Sequence, residues 1–390
     1  MKYRTLYKCP CLTLTLALAA GVSIAETTET IQTDSEEKSA LDKIWDLPVL
    51  YKNDKNPFIE EVDFTGRLQI DYFNVDSNKG ANDFFEIRRF RLGLDSWFAD
   101  RHVELKATVD TALRNYHAPS VFYNRFTDLF LNFHANDALN LRVGKFEPHV
   151  GYDREFSDIR QKFFERSIFD DQVFNNTGND YVAGASVLGK SGNWGYQAAV
   201  LSDSVAKEFG QFDGGYSGLF ELSYDFSTTL GVDQALWAAD YMNMENNAKS
   251  DVFNTMHNAA ATYFDSRQGR FCLVAQAGYG NGTTVKGDVY ALMVMPSYYV
   301  IADRLEAVVR YQYGTADHPN GIALMNRQIK TVGSFTGNTY DSAYMGLNYY
   351  IYGQKCKVMF AEQFDDLTGG TGKQAGYRGW TTLVGFRTYW

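Results

Sequence analysis

Apolar and polar residues alternate with a period of two along most of this chain, from about residue 62 to its last residue. The segment 103–110, VELKATVD, is a clear example, since every second side chain is apolar and the others are polar or charged. In a β-strand this period places the two kinds of side chain on opposite faces, so each strand is expected to separate an apolar from an aqueous environment. The pattern predicts about sixteen strands, near residues 62–74, 83–98, 102–113, 121–134, 138–147, 179–189, 193–202, 216–227, 232–243, 253–265, 269–280, 288–301, 304–315, 340–352, 355–364 and 379–390.

The predicted connections are alternately short and long. Residues 136–137 and 353–354 form tight turns, whereas 148–178 and 316–339 form long polar loops. Bacterial outer-membrane barrels have an even number of strands, short periplasmic turns and long outer loops, whereas a β-sandwich gives no reason for this alternation. We therefore predict an all-β fold, a transmembrane antiparallel β-barrel of about sixteen strands. A soluble barrel would place the apolar faces inside, and the alternation alone does not separate the two arrangements.

The start of the chain favours the membrane. Lys2, Arg4 and Lys8 precede an apolar run at 12–20, which ends in the small residues Ser-Ile-Ala, so residues 1–25 are predicted to be a signal peptide. The alternative, a membrane anchor, is disfavoured because the apolar run is short. No later run approaches the roughly 20 apolar residues of a transmembrane helix, so a chain that crosses the membrane would do so with strands.

Two further regions follow the predicted signal peptide. Residues 26–61 form a polar leader, predicted to be a tether, with a short helix or a plug as alternatives. Residues 62–390 form the barrel, and aromatic residues, at 15% of the chain, suit its membrane interfaces. The last strand, 380–390, ends in an aromatic residue and is expected to pair with the first strand, which removes the free sheet edges.

Charge and chemistry exclude several classes of function. The loss of three basic residues with the signal peptide changes the net charge from −10 to −13, which disfavours nucleic-acid binding. Cys272 and Cys356 are too few for a disulfide scaffold. The six histidines have no metal-binding spacing, so no metal, cofactor or catalytic site is predicted. An enzyme would need His102 or His257 beside a nucleophile, and no local pattern provides one.

The long loop 148–178 is the longest internal stretch without a strand pattern, and it is rich in aromatic and charged residues. Loops of this length inside a compact domain are usually functional. We predict that this third long loop folds into the barrel and narrows it. The basic residues of this constriction loop are Arg154, Arg160, Lys162 and Arg166.

On the predicted strands, a set of basic residues shares the charged face. An arginine fork gives two hydrogen bonds to an oxyanion, so such residues inside a pore are expected to attract anions. By the same alternation, Arg88 and Glu86 are predicted to face outward. The predicted pore-lining, anion-attracting residues are Arg67, Arg89, Arg91, Lys106, Arg142, Arg310, Lys357 and Arg387.

An alternative arrangement neutralises these basic residues by ion pairs across the pore. Such pairs would order water and discriminate little between anions and cations. The acidic residues available on the same faces are Asp71, Asp95, Glu104, Asp110 and Glu306.

Three short segments resemble the phosphate-selective porin O and P family: FEIRRFRLGL at 85–94, LRVGKF at 141–146 and FERS at 164–167. The resemblance extends over about residues 64–390. It implies a 16-stranded, trimeric outer-membrane porin whose third long loop folds inward and whose lumen carries arginines and lysines that draw anions through. The chain departs from the family after Gly-Lys-Phe, where Glu147-Pro148 replaces a basic continuation, and its loop is slightly acidic.

We therefore predict a porin in the outer membrane of a diderm bacterium. It contacts outer-membrane lipid, forms a homotrimer as the resemblance implies, and passes small hydrophilic solutes passively, including inorganic or organic anions such as phosphate. One alternative is a general, weakly selective or cation-preferring porin. The other is a structural or adhesive barrel whose lumen is blocked by the loop and the leader.

Overall fold

The computed structural model describes most of the chain from residue 40 onward. The predicted signal peptide and the first part of the leader lie outside the described residues, as do parts of several long loops. The described residues are 40–112, 122–156, 158–174, 181–204, 208–209, 212–245, 250, 256–283 and 286–390.

Antiparallel strands dominate the described residues. In chain order the strands are β1 (Val49–Lys52), β2 (Ile59–Ser77), β3 (Gly80–Phe98), β4 (Val103–Thr111), β5 (Tyr123–Asn136), β6 (Leu139–Phe146), β7 (Val182–Ser191), β8 (Trp194–Ser202), β9 (Tyr216–Asp225), β10 (Gln234–Met244), β11 (Met256–Gln268), β12 (Phe271–Gly282), β13 (Val289–Ile301), β14 (Leu305–Ala316), β15 (Ile322–Ala323), β16 (Thr336–Gly337), β17 (Thr339–Tyr352), β18 (Cys356–Thr368) and β19 (Tyr377–Tyr389).

Sixteen of these strands, β2 to β14 and β17 to β19, form a closed barrel within the described part of the chain. Each pairs with its neighbour in sequence, and β19 pairs with β2. At this seam, Trp390 and Gly66 exchange two backbone hydrogen bonds of 3.0 Å. The predicted barrel and its closure by the last strand are confirmed. The short strand β1 adds to the start of β2, and β15 pairs with β16.

Short helices lie at the ends of the barrel and between its strands. Among the described residues, no helix has the length and hydropathy that a membrane crossing requires. The helices are α1 (Ala40–Asp46), α2 (Tyr152–Glu155), α3 (Ile168–Val173), α4 (Ser227–Leu230) and α5 (Asn326–Val332), with a 3-10 turn at Phe212–Gly214.

The two faces of the strands differ in exposure, as the alternation predicts. On β14, Val309 and Tyr311 are each 49% exposed, whereas Arg310 and Gln312 between them are fully buried. Exposed apolar side chains recur on nearly every strand of the wall, including Leu292 on β13. The outer surface is therefore apolar, as contact with hydrocarbon requires.

Part of the leader folds onto the barrel. The ring of Trp45 in α1 stacks on Tyr352 with a centroid distance of 4.6 Å, and its Nε1 donates a 2.8 Å hydrogen bond to the carbonyl of Tyr389. The strand β1 hydrogen-bonds to β2, which begins three residues before its predicted start. Residues 40–52 are thus a docked helix and strand. The prediction that the leader is a tether is wrong for residues 40–52. Trp45 contacts Tyr352 and Tyr389 of the barrel, and β1 pairs with β2.

Candidate permeation pathway

Segment 147–174, which the structure describes except for residue 157, contains most of the predicted constriction loop. It hydrogen-bonds to side chains of β10, β12, β14, β17 and β18. These side chains belong to the buried face of their strands. An irregular segment must find such partners, because its backbone groups are not paired in a sheet. Its contacts are Gly151 N–H to Asp240 (2.7 Å), Tyr152 N–H to Gln276 (2.6 Å), Ile168 N–H to Gln312 (2.8 Å), Asn348 to the Lys162 carbonyl (2.9 Å) and Lys357 to the Gln161 carbonyl (2.7 Å).

The aromatic residues of segment 147–174 belong to a large buried apolar cluster. Phe163, Phe164 and Phe169 pack in one cluster with buried apolar residues that come mainly from β10 to β19, many of them methionine and alanine, and with a few from β2 and β5 to β9. Two glycines make room for the rings, because a Cβ at Gly278 would overlap Phe169 and one at Gly385 would overlap Phe164. The expectation that the inner faces carry mainly charged and polar residues is therefore wrong for this side of the barrel.

On β2 and β3, three of the predicted pore-lining residues converge on one carboxylate of the segment. Asp158 is ion-paired with Arg67 and with Arg89 (Nε to Oδ2 2.8 Å), and Arg91 lies 4.0 Å away. Burial raises the pKa of the Asp158 carboxyl, but the three guanidinium groups lower it by more, so the pKa falls far below its usual range. Asp158 therefore remains charged and neutralises part of this arginine group.

A second cluster joins β2, β3 and β19 to α5. Asp71 forms ion pairs with Arg387 and with Arg327 (2.6 Å), and Glu165 forms ion pairs with Arg327 and Arg88. The strand alternation did not predict that Arg327 belongs to this cluster, because Arg327 lies on helix α5 in a long loop. Burial raises the pKa of Glu165, and the two arginines lower it by more. Arg387 is thus held by a carboxylate.

The position of Arg88 corrects the sequence-based prediction. Arg88 donates two hydrogen bonds to Glu165, of 2.8 and 2.9 Å, and Glu86 is buried. Neither residue faces outward. The pairing of β2 with β3 shifts by one residue at Arg88, and such a β-bulge reverses the side on which the following residues lie.

Within the segment itself, most of the basic residues are also paired. Arg154 forms ion pairs with Asp170 and with Glu147 (3.1 Å), and Arg166 pairs with Glu147. Lys162 reaches across to Glu306 on β14 at 2.7 Å. Of the acidic partners suggested by the alternation, Asp71, Asp110 and Glu306 do form ion pairs with these basic residues, Asp110 with Arg91 at 3.5 Å.

The other predicted basic residues have no ion pair within 4.0 Å in the described part of the chain. Arg310 and Lys357 are fully buried and donate to backbone carbonyls of the segment, so they are not accessible to a solute. Arg160 is exposed. Lys106 and Arg142 are partly exposed, and the Arg142 guanidinium lies over a phenylalanine ring.

Three cavities border the segment in the described part of the chain. One, of about 250 Å³, lies beside Arg160 and Lys162. The other two, hereafter the two cavities, are both lined by His149 and Glu155. The larger, of about 890 Å³, extends to the short turns at one end of the barrel, and the smaller, of about 260 Å³, contains Lys106 and Arg142. Their described linings carry six basic and nine acidic side chains. The basic ones are Arg67, Arg101, Lys106, Arg142, Arg154 and Lys190, and the acidic ones are Asp100, Glu104, Asp128, Asp137, Glu147, Glu155, Asp158, Glu221 and Asp225.

His149 and Glu155, which line both cavities, were not among the predicted site residues. Burial, followed by Arg142 and Arg154, lowers the pKa of His149 to about 4, so the imidazole is neutral at pH 7. Burial together with Glu221 raises the pKa of Glu155 well above its usual range. Alternation predicts that Glu221 lies on the inner face of β9. No feature of the sequence predicts its contact with Glu155 in the loop.

Solved structures of outer-membrane proteins share this fold. An anion-selective porin from Comamonas acidovorans is 10% identical, with a TM-score of 0.60, and the match covers 84% of this chain and 99% of that chain. The outer membrane channel DcaP of Acinetobacter baumannii is 11% identical, with a TM-score of 0.56 and coverages of 87% and 99%. OmpT of Vibrio cholerae, in a trimer form, is 14% identical, with a TM-score of 0.52 and coverages of 84% and 99%. At these identities the likeness shows the fold.

No curated protein sequence matches this chain. The model of one family, phosphate-selective porin O and P, matches residues 62–279, which is more than half of the chain. The family and the closed barrel support a passive porin function in the bacterial outer membrane. The segments FEIRRFRLGL, LRVGKF and FERS, on which the resemblance was based, all lie within the matched residues. The chain therefore belongs to the phosphate-selective porin O and P family.

Proposed function

We propose that small hydrophilic solutes diffuse through the two cavities beside segment 147–174, which narrows the lumen at this level. The closed wall and its apolar outer surface suit a membrane-embedded pore. Contacts between the segment and five strands support its position inside the wall, because strands so far apart around a closed barrel share only the interior. The residues that line the two cavities come mainly from β4 to β9 and the turns between them, and we propose that water occupies this side.

The charge of the cavity linings carries our proposal on selectivity. A lumen that attracts anions needs basic side chains whose charge is not cancelled nearby. Seven of the twelve predicted basic residues form ion pairs with carboxylates. Along the two cavities, acidic side chains outnumber basic ones by seven to six when Asp158, which is paired with arginines, and Glu155, whose pKa is raised, are set aside. We therefore favour a weakly selective porin with a modest preference for cations over one that selects phosphate.

An anion-preferring porin is the second candidate. Lys106 and Arg142 favour it, because both line the smaller cavity without an ion pair within 4.0 Å among the described residues. The description of the family as phosphate-selective and the similarity to the anion-selective Comamonas acidovorans porin also favour it. We also propose a homotrimer, on the basis of the family resemblance and the trimer form of Vibrio cholerae OmpT.

The reversal potential of single channels in a tenfold KCl gradient separates these candidates. For the wild type we expect potassium to be preferred over chloride, by less than about tenfold, since both signs of charge line the cavities. Glu221→Gln should shift the potential toward chloride, and Arg142→Gln should shift it toward potassium. Arg378→Gln, at an exposed ion pair outside both cavities, is the control and should shift neither.

A strong chloride preference would contradict the proposal and favour the second candidate. Phosphate added at millimolar concentration then tests that candidate further. Competition of phosphate with the chloride current, lost in the variants Lys106→Gln and Arg142→Gln, would assign an oxyanion site to these two residues.

A further inference from the structure

We propose that His149, Glu155 and Glu221 form a binding site for a divalent transition-metal cation at the junction of the two cavities. One ligand atom from each residue lies within 4.8 Å of the others, and His149 Nδ1 is 3.7 Å from a Glu155 carboxylate oxygen. Metal–ligand bonds of about 2.1 Å hold two ligand atoms at most about 4.2 Å apart. Small side-chain rotations in the segment therefore complete the site.

The donor set decides the class of cation. One imidazole nitrogen with carboxylate oxygens suits zinc and its neighbours in the first transition row, which accept both donor types. Magnesium keeps its water and prefers an octahedral set of oxygens, so this site should bind it weakly.

Asp240 provides an independent observation. This residue is only 4% exposed and lies directly opposite Glu221 in the β9–β10 pairing, so both carboxylates project from the same face. Its Oδ2 accepts the N–H of Gly151, but its Oδ1 is buried without a hydrogen-bond partner in the described residues. A buried carboxylate oxygen left without a donor is costly, and a cation at the neighbouring carboxylates would lower that cost.

Glu155 and Glu221 share a side-chain hydrogen bond, so a bound metal would replace the proton between them. Glu221 is buried and has no ion pair within 4.0 Å among the described residues. Lys190 lines the same cavity, but it is exposed on β7. Arg142 and Arg154 also lie near His149, but Arg154 is already paired with Glu147 and Asp170. The three carboxylates therefore keep negative charge that a bound metal would balance.

A metal bound at this site would obstruct the proposed path of the solute. His149 and Glu155 line both cavities, so a cation bound there occupies the proposed path of the solute. Zinc should therefore reduce the current reversibly. This readout rests on the proposed function, whereas zinc binding by the purified protein does not.

Zinc chloride alone is the probe, and two measurements use it on the full-length protein. Calorimetry in detergent should give one zinc per chain, and micromolar zinc should lower the single-channel conductance. In Glu221→Gln and His149→Gln, half-maximal effects should require at least tenfold more zinc. Asp225→Asn removes a carboxylate from the same strand and cavity but outside the site, so it should respond like the wild type, and equimolar magnesium should leave the current unchanged.

The outcomes separate the two proposals. Zinc binding without any channel steps would support the site and contradict the proposed porin. Channel steps without zinc binding would overturn the site and leave the porin. An equal loss of zinc affinity in Asp225→Asn and Glu221→Gln would also overturn it, since that result indicates attraction by net charge rather than coordination.

Discussion

Asp158 connects segment 147–174 to the barrel wall. It is almost fully buried among the guanidinium groups of Arg67, Arg89 and Arg91. Charged groups out of contact with water are tolerated only when they are paired, and the removal of one partner leaves the others uncompensated. The position of the segment therefore depends on this carboxylate.

We predict that Asp158→Asn destabilises the protein by about 3–5 kcal/mol, as expected when one partner of a buried ion pair is removed. Urea-induced unfolding in lipid vesicles measures this change. Asp128→Asn, which removes a carboxylate from the same cavity without breaking an ion pair, is the control and should cost less than about 1 kcal/mol. Equal effects of the two changes would show that the cluster around Asp158 is not a structural support.

The same cluster predicts a pH dependence. Because the pKa of Asp158 is lower in the folded protein than in the unfolded chain, its stabilisation is complete above about pH 4 and is lost as the pH falls below that value. The urea midpoint of the wild type should therefore fall between pH 5 and pH 3 by more than that of Asp158→Asn. Parallel curves would contradict this assignment.

At the residue scale, the sequence predicted only part of the site. Alternation correctly groups Arg67, Arg89 and Arg91 on the buried face of two adjacent strands. Their partner Asp158 lies in an irregular segment, where no period relates sequence position to direction. For the same reason, the sequence did not predict that His149 and Glu155 lie close to Glu221.

At the scale of elements, all sixteen barrel strands were predicted, because each follows the period of two over many residues. Errors in the bounds are small, as at β2, which starts at Ile59. The bulge at Arg88 was missed, since an inserted residue leaves the composition of a strand unchanged while it reverses the faces. The apolar inner positions on β10 to β19 were also missed, because their partners are the aromatic rings of the loop.

The fit between segment 147–174 and β12 gives a prediction at this scale. Gly278→Val should displace the ring of Phe169, which occupies the space beside this glycine, and so loosen the segment. We expect a larger and more variable single-channel conductance. Gly218→Val is the control, because this glycine of β9 has open space beside it and the added side chain would meet lipid. Unchanged conductance in Gly278→Val would mean that the segment does not limit the current.

The whole molecule combines an apolar exterior with an interior that holds both a packed apolar cluster and cavities lined by charged residues. Among the described residues, the sixteen strands of the wall pair in a closed ring, and their exposed apolar residues match a hydrocarbon environment. Inside, the cluster around Phe163, Phe164 and Phe169 resembles the core of a soluble protein. Whether the molecule is a channel therefore depends on the charged cavities that this cluster leaves open.

Single-channel recording of the purified wild-type protein in planar bilayers tests this account most directly. We predict discrete, reproducible conductance steps, because water and ions occupy the two cavities beside segment 147–174. Well-folded protein that inserts but gives no steps would contradict the account, and it would favour a blocked structural barrel in which the apolar cluster and the segment close the lumen.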